Sequence, residues 1–143
     1  MKKFKYKFDS VLNFKDNIKK EAMKEVALVG KQIEESAVKK EKLIEELNGC
    51  KMSSNKGSMK ISELQFIESH IYYLKKKIEF IDSEIARLKL LMKIKQSELV
   101  EKTKESKIFH KLKESKLMQF KKEENRAETK MLDELAIQKS SRE

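Results

Sequence analysis

Few side chains in this sequence could take part in catalysis or hold a metal. The chain has two histidines, His70 and His110, and one cysteine, Cys50, in 143 residues. His110 and Glu114 lie one helical turn apart, but a useful zinc site needs three or four ligands. The sequence contains no phosphate-binding glycine loop, no paired cysteines and no acidic cluster in a predicted pocket. We therefore predict no catalytic, cofactor-binding or metal-binding residue, and no enzymatic activity.

The composition excludes most fold classes. Charged residues make up 41% of the chain, with 34 Lys+Arg against 24 Asp+Glu, and there is no Pro or Trp. Pro averages roughly 5% in proteins, and the turns of an all-β or α/β fold need Pro and Gly. A disordered chain has a similar composition, but here the apolar residues are periodic rather than scattered. The sequence therefore predicts a single all-α domain over residues 1–143, built from long helices.

Two helices separated by one loop follow from the positions of apolar and turn-forming residues. Apolar residues spaced by three and four predict a first helix over about 9–47 and a second over about 59–138. Residues 48–58 hold two of the three Gly and three of the chain's Ser, so they are predicted to form a loop. Residues 139–143 are predicted to be a frayed tail. The second helix has the clearest stripe, which consists of Ile71, Leu74, Ile78, Ile81, Ile85, Leu88 and Met92.

Helices joined by a short loop pack antiparallel, and these two differ in length. At 1.5 Å per residue the first helix spans about 60 Å and the second about 115 Å. We therefore expect residues 9–47 to pair with about 60–100. The predicted fold is a long antiparallel two-helix coiled-coil hairpin with an overhanging C-terminal helix. Residues from about 100 to 138 would need another chain, or a cavity in another protein, as their partner.

The basic charge allows several kinds of partner. Lys2, Lys3, Lys5 and Lys7 precede the first acidic residue. A basic coiled coil could bind nucleic acid or an anionic membrane surface, or the chain could be a self-associating structural coiled coil. The chain has only three Arg and lacks a recognition-helix motif, so docking to an acidic protein surface is favoured and direct nucleic-acid binding is not expected.

Aromatic residues near the loop are a second candidate contact surface. Phe66 and Tyr73 lie seven residues apart and share a helix face, and Tyr72 adjoins them. Exposed aromatic side chains on a thin coiled coil suit a partner contact. The alternative is that they cover the edge of the helix–helix seam.

Short motifs stand at both chain ends. They are Phe4-Lys5-Tyr6-Lys7-Phe8-Asp9-Ser10-Val11-Leu12, Lys111-Leu112-Lys113-Glu114, Phe120, Glu124, Glu128 and Asp133-Glu134-Leu135-Ala136. Together these motifs resemble the two ends of one known family, the FliJ family of the bacterial flagellar type III export apparatus. In the middle of the chain, Gln65-Phe66-Ile67 after the loop also matches.

The resemblance implies a fold and a set of partners. The family folds as a two-helix coiled coil similar to the central-stalk subunit of rotary ATPases. Its partners are the hexameric export ATPase, the cytoplasmic part of the export-gate membrane protein and substrate chaperones, and it requires no cofactor. A cytoplasmic location follows, at the inner face of the cell membrane. By analogy, the ATPase contacts are Phe4, Phe8, Val11, Leu12, Phe120, Asp133, Glu134 and Leu135. The export-gate contacts are Phe66, His70 and Tyr73.

Overall fold

The protein consists of two long α-helices that pack against each other. The computed structural model describes residues 2–55 and 57–142, and these contain no β-strand. Helix α1 spans Asp9–Ser54 (46 residues) and helix α2 spans Ile61–Ser141 (81 residues). The predicted all-α helical hairpin is confirmed. None of the described helices is long and apolar enough to cross a lipid bilayer.

Helix α1 ends later than predicted. It begins at Asp9, whose acidic side chain suits the positive end of the helix dipole, and it continues to Ser54 rather than to about residue 47. Asn48 and Gly49 are therefore helical, although Gly costs about 1 kcal/mol relative to Ala inside a helix. Leu47, one residue earlier, is buried, and that packing helps to keep this part of the chain helical.

The connection between the helices is correspondingly shorter than the predicted loop. Ser54 Oγ donates a hydrogen bond to the carbonyl oxygen of Lys51 at 2.8 Å, which satisfies one free carbonyl at the end of α1. Helix α2 also continues to Ser141, past the predicted end at about residue 138. Lys56 of the predicted loop, Glu143 of the predicted frayed tail, and Met1 lie outside the described residues.

The chain divides into two compact units, one of residues 21–99 and one of residues 1–20 with 100–143. Within the first of these, α1 and α2 pack antiparallel along an apolar seam. The predicted stripe of α2 is confirmed, since all seven of its members are buried or half-buried. The buried core residues of this unit are Ala22, Val29, Leu47, Leu74 and Leu88.

Ion pairs at the edge of the seam show the register of this unit. Lys95 Nζ lies 3.2 Å from Glu25 Oε2, and Lys40 Nζ lies 2.6 Å from Asp82 Oδ1. The hydrogen bond that Lys95 donates to Glu25, together with the negative charge of Glu25, raises the pKa of Lys95.

The second unit corrects the predicted pairing. Residues 100–120 do not lack a partner within the chain, because they pack against residues 2–20. The pairing is therefore shifted toward the C-terminus relative to the predicted partner segment of about 60–100. The longer α1 explains the shift, since it moves the turn of the hairpin along the chain. From Lys121 to Arg142, in contrast, every side chain is exposed.

Candidate partner-binding site

An N-terminal strap, residues 2–8, lies on α2 through its aromatic side chains. The ring centroids of Phe4 and Phe120 are 5.6 Å apart, and those of Phe8 and Phe109 are 6.3 Å apart. Tyr6 Oη donates a hydrogen bond to the carbonyl oxygen of Phe109 at 3.0 Å. The strap thus brings together three residues from opposite chain ends that were predicted to contact the ATPase, namely Phe4, Phe8 and Phe120.

The lysines of the strap alternate with these aromatic residues. Phe4 and Tyr6 are half-buried, whereas Lys3, Lys5 and Lys7 are exposed. This alternation explains the aromatic and basic pattern at the start of the sequence, because the rings hold the strap on α2 and leave the lysine side chains exposed. The ammonium group of Lys7 lies 5.8 Å from the centroid of the Phe8 ring.

Val11 and Leu12 have different environments, although both were predicted as ATPase contacts. Leu12 is 3% exposed and belongs to the core of this unit, whereas Val11 is 37% exposed on the outer surface of α1. Val11 is therefore available to a partner as the structure stands, and Leu12 holds α1 against α2. The contact roles of both residues remain predictions.

A polar cluster of Asp16, Ser106 and His110 lies beside this core. Ser106, which is 2% exposed, donates its Oγ hydrogen bond to Asp16 Oδ1 at 2.5 Å. His110 Nε2 lies 2.9 Å from the same oxygen. The hydrogen bonds from Ser106 and then His110 lower the pKa of Asp16.

Sequence reasoning missed this cluster. Its members are 90 and 94 residues apart in the chain, and no local pattern connects them. The sequence pairs His110 only with Glu114, one helical turn away, as half of a possible metal site. Among the residues that the structure describes, no group of three or more His, Cys, Asp and Glu side chains could hold a metal ion.

Two ion pairs flank the polar cluster along the helices. Lys15 Nζ lies 3.1 Å from Glu105 Oε2, and Lys113 Nζ lies 3.3 Å from Asp9 Oδ1. The hydrogen bond from Lys15 and the nearby charge of Lys102 lower the pKa of Glu105. The first turns of α1 are therefore held on α2 by charged and polar contacts on both sides of Leu12.

The C-terminal extension, residues 121–142, carries the remaining predicted ATPase contacts. Asp133, Glu134 and Leu135 are all exposed there. Met131 and Leu135 lie one helical turn apart, and Leu132 adjoins them, so this extension exposes an apolar stripe next to an acidic pair. The structure places these residues on the same helix as Phe120 but leaves them uncovered.

The aromatic patch, defined as Phe66, His70 and Tyr73, lies on α2 in the unit of residues 21–99. Phe66 is 74% exposed and Tyr73 is 54% exposed. His70 stacks on Tyr73, with ring centroids 6.1 Å apart, and its Nε2 lies 3.1 Å from Glu46 Oε1 of α1. His70 thus orients Tyr73 and is itself held by α1, while the two aromatic rings remain available to a partner.

The comparison with known families gives a match along almost the whole sequence. The family model described as Flagellar FliJ protein matches residues 4–143, from the first aromatic residue of the strap through the C-terminal extension. Comparisons with curated proteins and with solved structures give no match.

Proposed function

Because the chain belongs to the FliJ family, a non-catalytic component of flagellar type III export, we propose that it acts there as a stalk and adaptor protein that binds the hexameric export ATPase. The single observation that carries this proposal is the family match over residues 4–143. The exposed C-terminal extension supports the proposal. An uncovered charged helix is only marginally stable, and packing against another protein would stabilise it.

The ATPase contact is proposed to combine the C-terminal extension with the nearby strap. Met131, Leu132 and Leu135 offer an apolar stripe, and Asp133 and Glu134 offer carboxylates for basic groups of the partner. Phe8 and Val11 add partly exposed apolar surface near the start of α1. Burying such residues is what makes a helix-in-groove contact stable.

A second contact is proposed between the aromatic patch and the cytoplasmic part of the export gate. Large aromatic side chains that are exposed yet held in place lose little conformational entropy when a partner buries them. The stacking of His70 on Tyr73 gives Tyr73 this property. Binding to a membrane-embedded gate would keep the protein at the inner face of the cell membrane, where it could assist the delivery of substrate–chaperone complexes.

The ATPase contact can be tested by measuring affinity for the purified export ATPase. We expect a chain truncated after Phe120 to bind on the order of tenfold more weakly or worse, because it lacks the extension. The same is expected of the double variant Met131→Glu and Leu135→Glu. The matched control is Leu90→Glu, since Leu90 is 63% exposed and lies in the other unit.

Unchanged ATPase affinity in both altered proteins would contradict the proposal. The competing functions make different predictions. If the protein binds nucleic acid or an anionic membrane, its affinity for that ligand should fall steeply as salt is raised. The Leu135→Glu change should leave that affinity unaltered. A self-associating coiled coil would form concentration-dependent oligomers, which sedimentation would detect.

A further inference from the structure

The net positive charge of this protein is concentrated where the strap and the start of α1 pack on α2. Residues 2–20 contain seven Lys and two Asp, and residues 100–120 contain six Lys and three Glu. Together these two segments carry a net charge of +8, out of +10 for the whole chain. Among the described residues of these two segments, the ion pairs of Asp9 and Glu105 involve only Lys15, Lys102 and Lys113.

A groove between the strap and α2 collects four of the remaining lysines. Lys3, Lys5 and Lys7 line it from the strap, and Lys116 lines it from α2. Glu123 is the one acidic residue among the lining residues. Phenyl rings form the apolar part of the lining, contributed by Phe4, Phe8 and Phe120.

We propose that this groove, lined by Lys3, Lys5, Lys7 and Lys116, binds an acidic segment of a partner protein. Carboxylates would meet the ammonium groups, and apolar side chains between them would rest on the phenyl rings. None of these four lysines forms an ion pair among the described residues, so no internal carboxylate must be displaced.

The shape and chemistry of the lining favour a peptide over other polyanions. A bilayer presents a broad surface, which fits a groove between a strap and a helix less closely than an extended peptide does. Single-stranded nucleic acids gain affinity by stacking bases on free aromatic faces. Here the Phe4 and Phe120 rings pack against each other with an interplanar angle of 54°, so they do not offer a stacking platform.

This inference goes beyond the proposed ATPase contact, since it concerns the chemistry of the bound segment rather than the identity of the protein that supplies it. It can be tested with the full chain and a fluorescein-labelled peptide in which Glu and Leu alternate. Fluorescence anisotropy should show binding that weakens as salt is raised. A peptide in which Lys replaces Glu should not bind.

Charge-matched variants locate the contact. Replacing Lys3, Lys5 and Lys7 by Gln should weaken peptide binding on the order of tenfold, the combined effect of three screened charge contacts. The control replaces Lys39, Lys42 and Lys89 by Gln, which removes the same charge from exposed positions in the other unit. It should change the affinity by less than about twofold.

Two single variants alter the groove only on its α2 side. Because they leave the sequence of the strap unchanged, their effects cannot be ascribed to a strap that has lost its own lysines. Lys116→Gln should weaken binding although it leaves the strap unaltered. Glu123→Gln should strengthen it, because the change removes the groove's own carboxylate. Loss of the folded groove is expected to weaken binding, so a gain in affinity by a variant that unfolds in urea like the unaltered protein separates the groove from a general loss of structure.

Three results would overturn the inference. They are equal losses in the strap variant and the charge-matched control, no gain with Glu123→Gln, and tighter binding of phosphatidylserine vesicles or oligo-dT than of the acidic peptide. The ATPase assay with the chain truncated after Phe120 is a separate measurement. The groove proposal can therefore fail while the ATPase proposal holds, and the reverse.

Discussion

The imidazole Nε2 of His110 lies 2.9 Å from Oδ1 and 3.1 Å from Oδ2 of Asp16, and this contact joins the start of α1 to α2. Ser106 donates a hydrogen bond to the same carboxylate. A polar layer within a helix–helix seam favours one register, because any shift would leave its groups unpaired. The cluster thereby holds the N-terminal part of α1, and the strap that precedes it, in position on α2.

Acid should weaken this part of the structure through Asp16. Its pKa is lower in the folded protein than in the unfolded chain, so the carboxylate stabilises the fold above its ordinary pKa of about 4. This stabilisation is lost as the pH falls through the lowered value. Urea unfolding between about pH 7 and pH 3 should show a smaller dependence on pH for Asp16→Asn than for the unaltered protein.

The matched control for this titration is Asp133→Asn, which alters an exposed residue of the C-terminal extension. It should keep the pH dependence of the unaltered protein. The role given to Asp16 would be wrong if Asp16→Asn and Asp133→Asn gave the same curve. Glu105, whose pKa is also lowered, accounts for part of the acid sensitivity that remains in Asp16→Asn.

Removing the buried hydroxyl of Ser106 should also destabilise the protein. Ser106→Ala deletes a hydrogen bond to a charged acceptor, and we expect the free energy of unfolding to fall by about 1 kcal/mol. Ser97→Ala provides the comparison, since Ser97 is exposed on the same helix and Ala is the better helix former. Urea denaturation should show no loss for Ser97→Ala, and equal stability of the two variants would contradict the role of the hydroxyl.

The ring contact between Phe4 and Phe120 should hold the strap in place. We expect trypsin to cleave after Lys5 and Lys7 faster in Phe4→Ala and in Phe120→Ala than in the unaltered protein, because the strap detaches more often. The double variant should be cleaved only a little faster than either single variant. The corresponding coupling free energy between the two rings should be about 0.5–1.5 kcal/mol. Phe14→Ala, at a residue that is 61% exposed, should leave the cleavage rate unchanged.

The seam of α2 could be predicted from the sequence because its apolar residues carry the helical period within one continuous segment. Leu74 and Leu88 are buried, and the intervening members of the stripe are half-buried. Phe66 and Tyr73 were likewise predicted to share a face, since a spacing of seven residues requires it in any helix.

The pairing of the two chain ends could not be predicted in the same way. Asn48 and Gly49 have low helix propensity, and the gain from packing around Leu47 is not visible in the local sequence. An error of a few residues at that helix end changes the register of the whole pairing. The Asp16 cluster was missed for a related reason, since two of its three members lie on the other helix and its residues are polar.

Replacing glycine inside α1 should stabilise the helix by an amount that depends on the space around it. Ala avoids the entropic cost of Gly, which is about 0.5–1 kcal/mol in a helix. A Cβ at Gly49 would meet nothing within 4 Å, so Gly49→Ala should gain this full amount. A Cβ at Gly30 would lie 3.3 Å from the Met92 Cε methyl, which is the end of a flexible side chain and must move by a few tenths of an ångström. In urea denaturation, Gly30→Ala should therefore raise the free energy of unfolding by less than Gly49→Ala does. The reverse order would show that Met92 packs more loosely against α1 than the structure indicates.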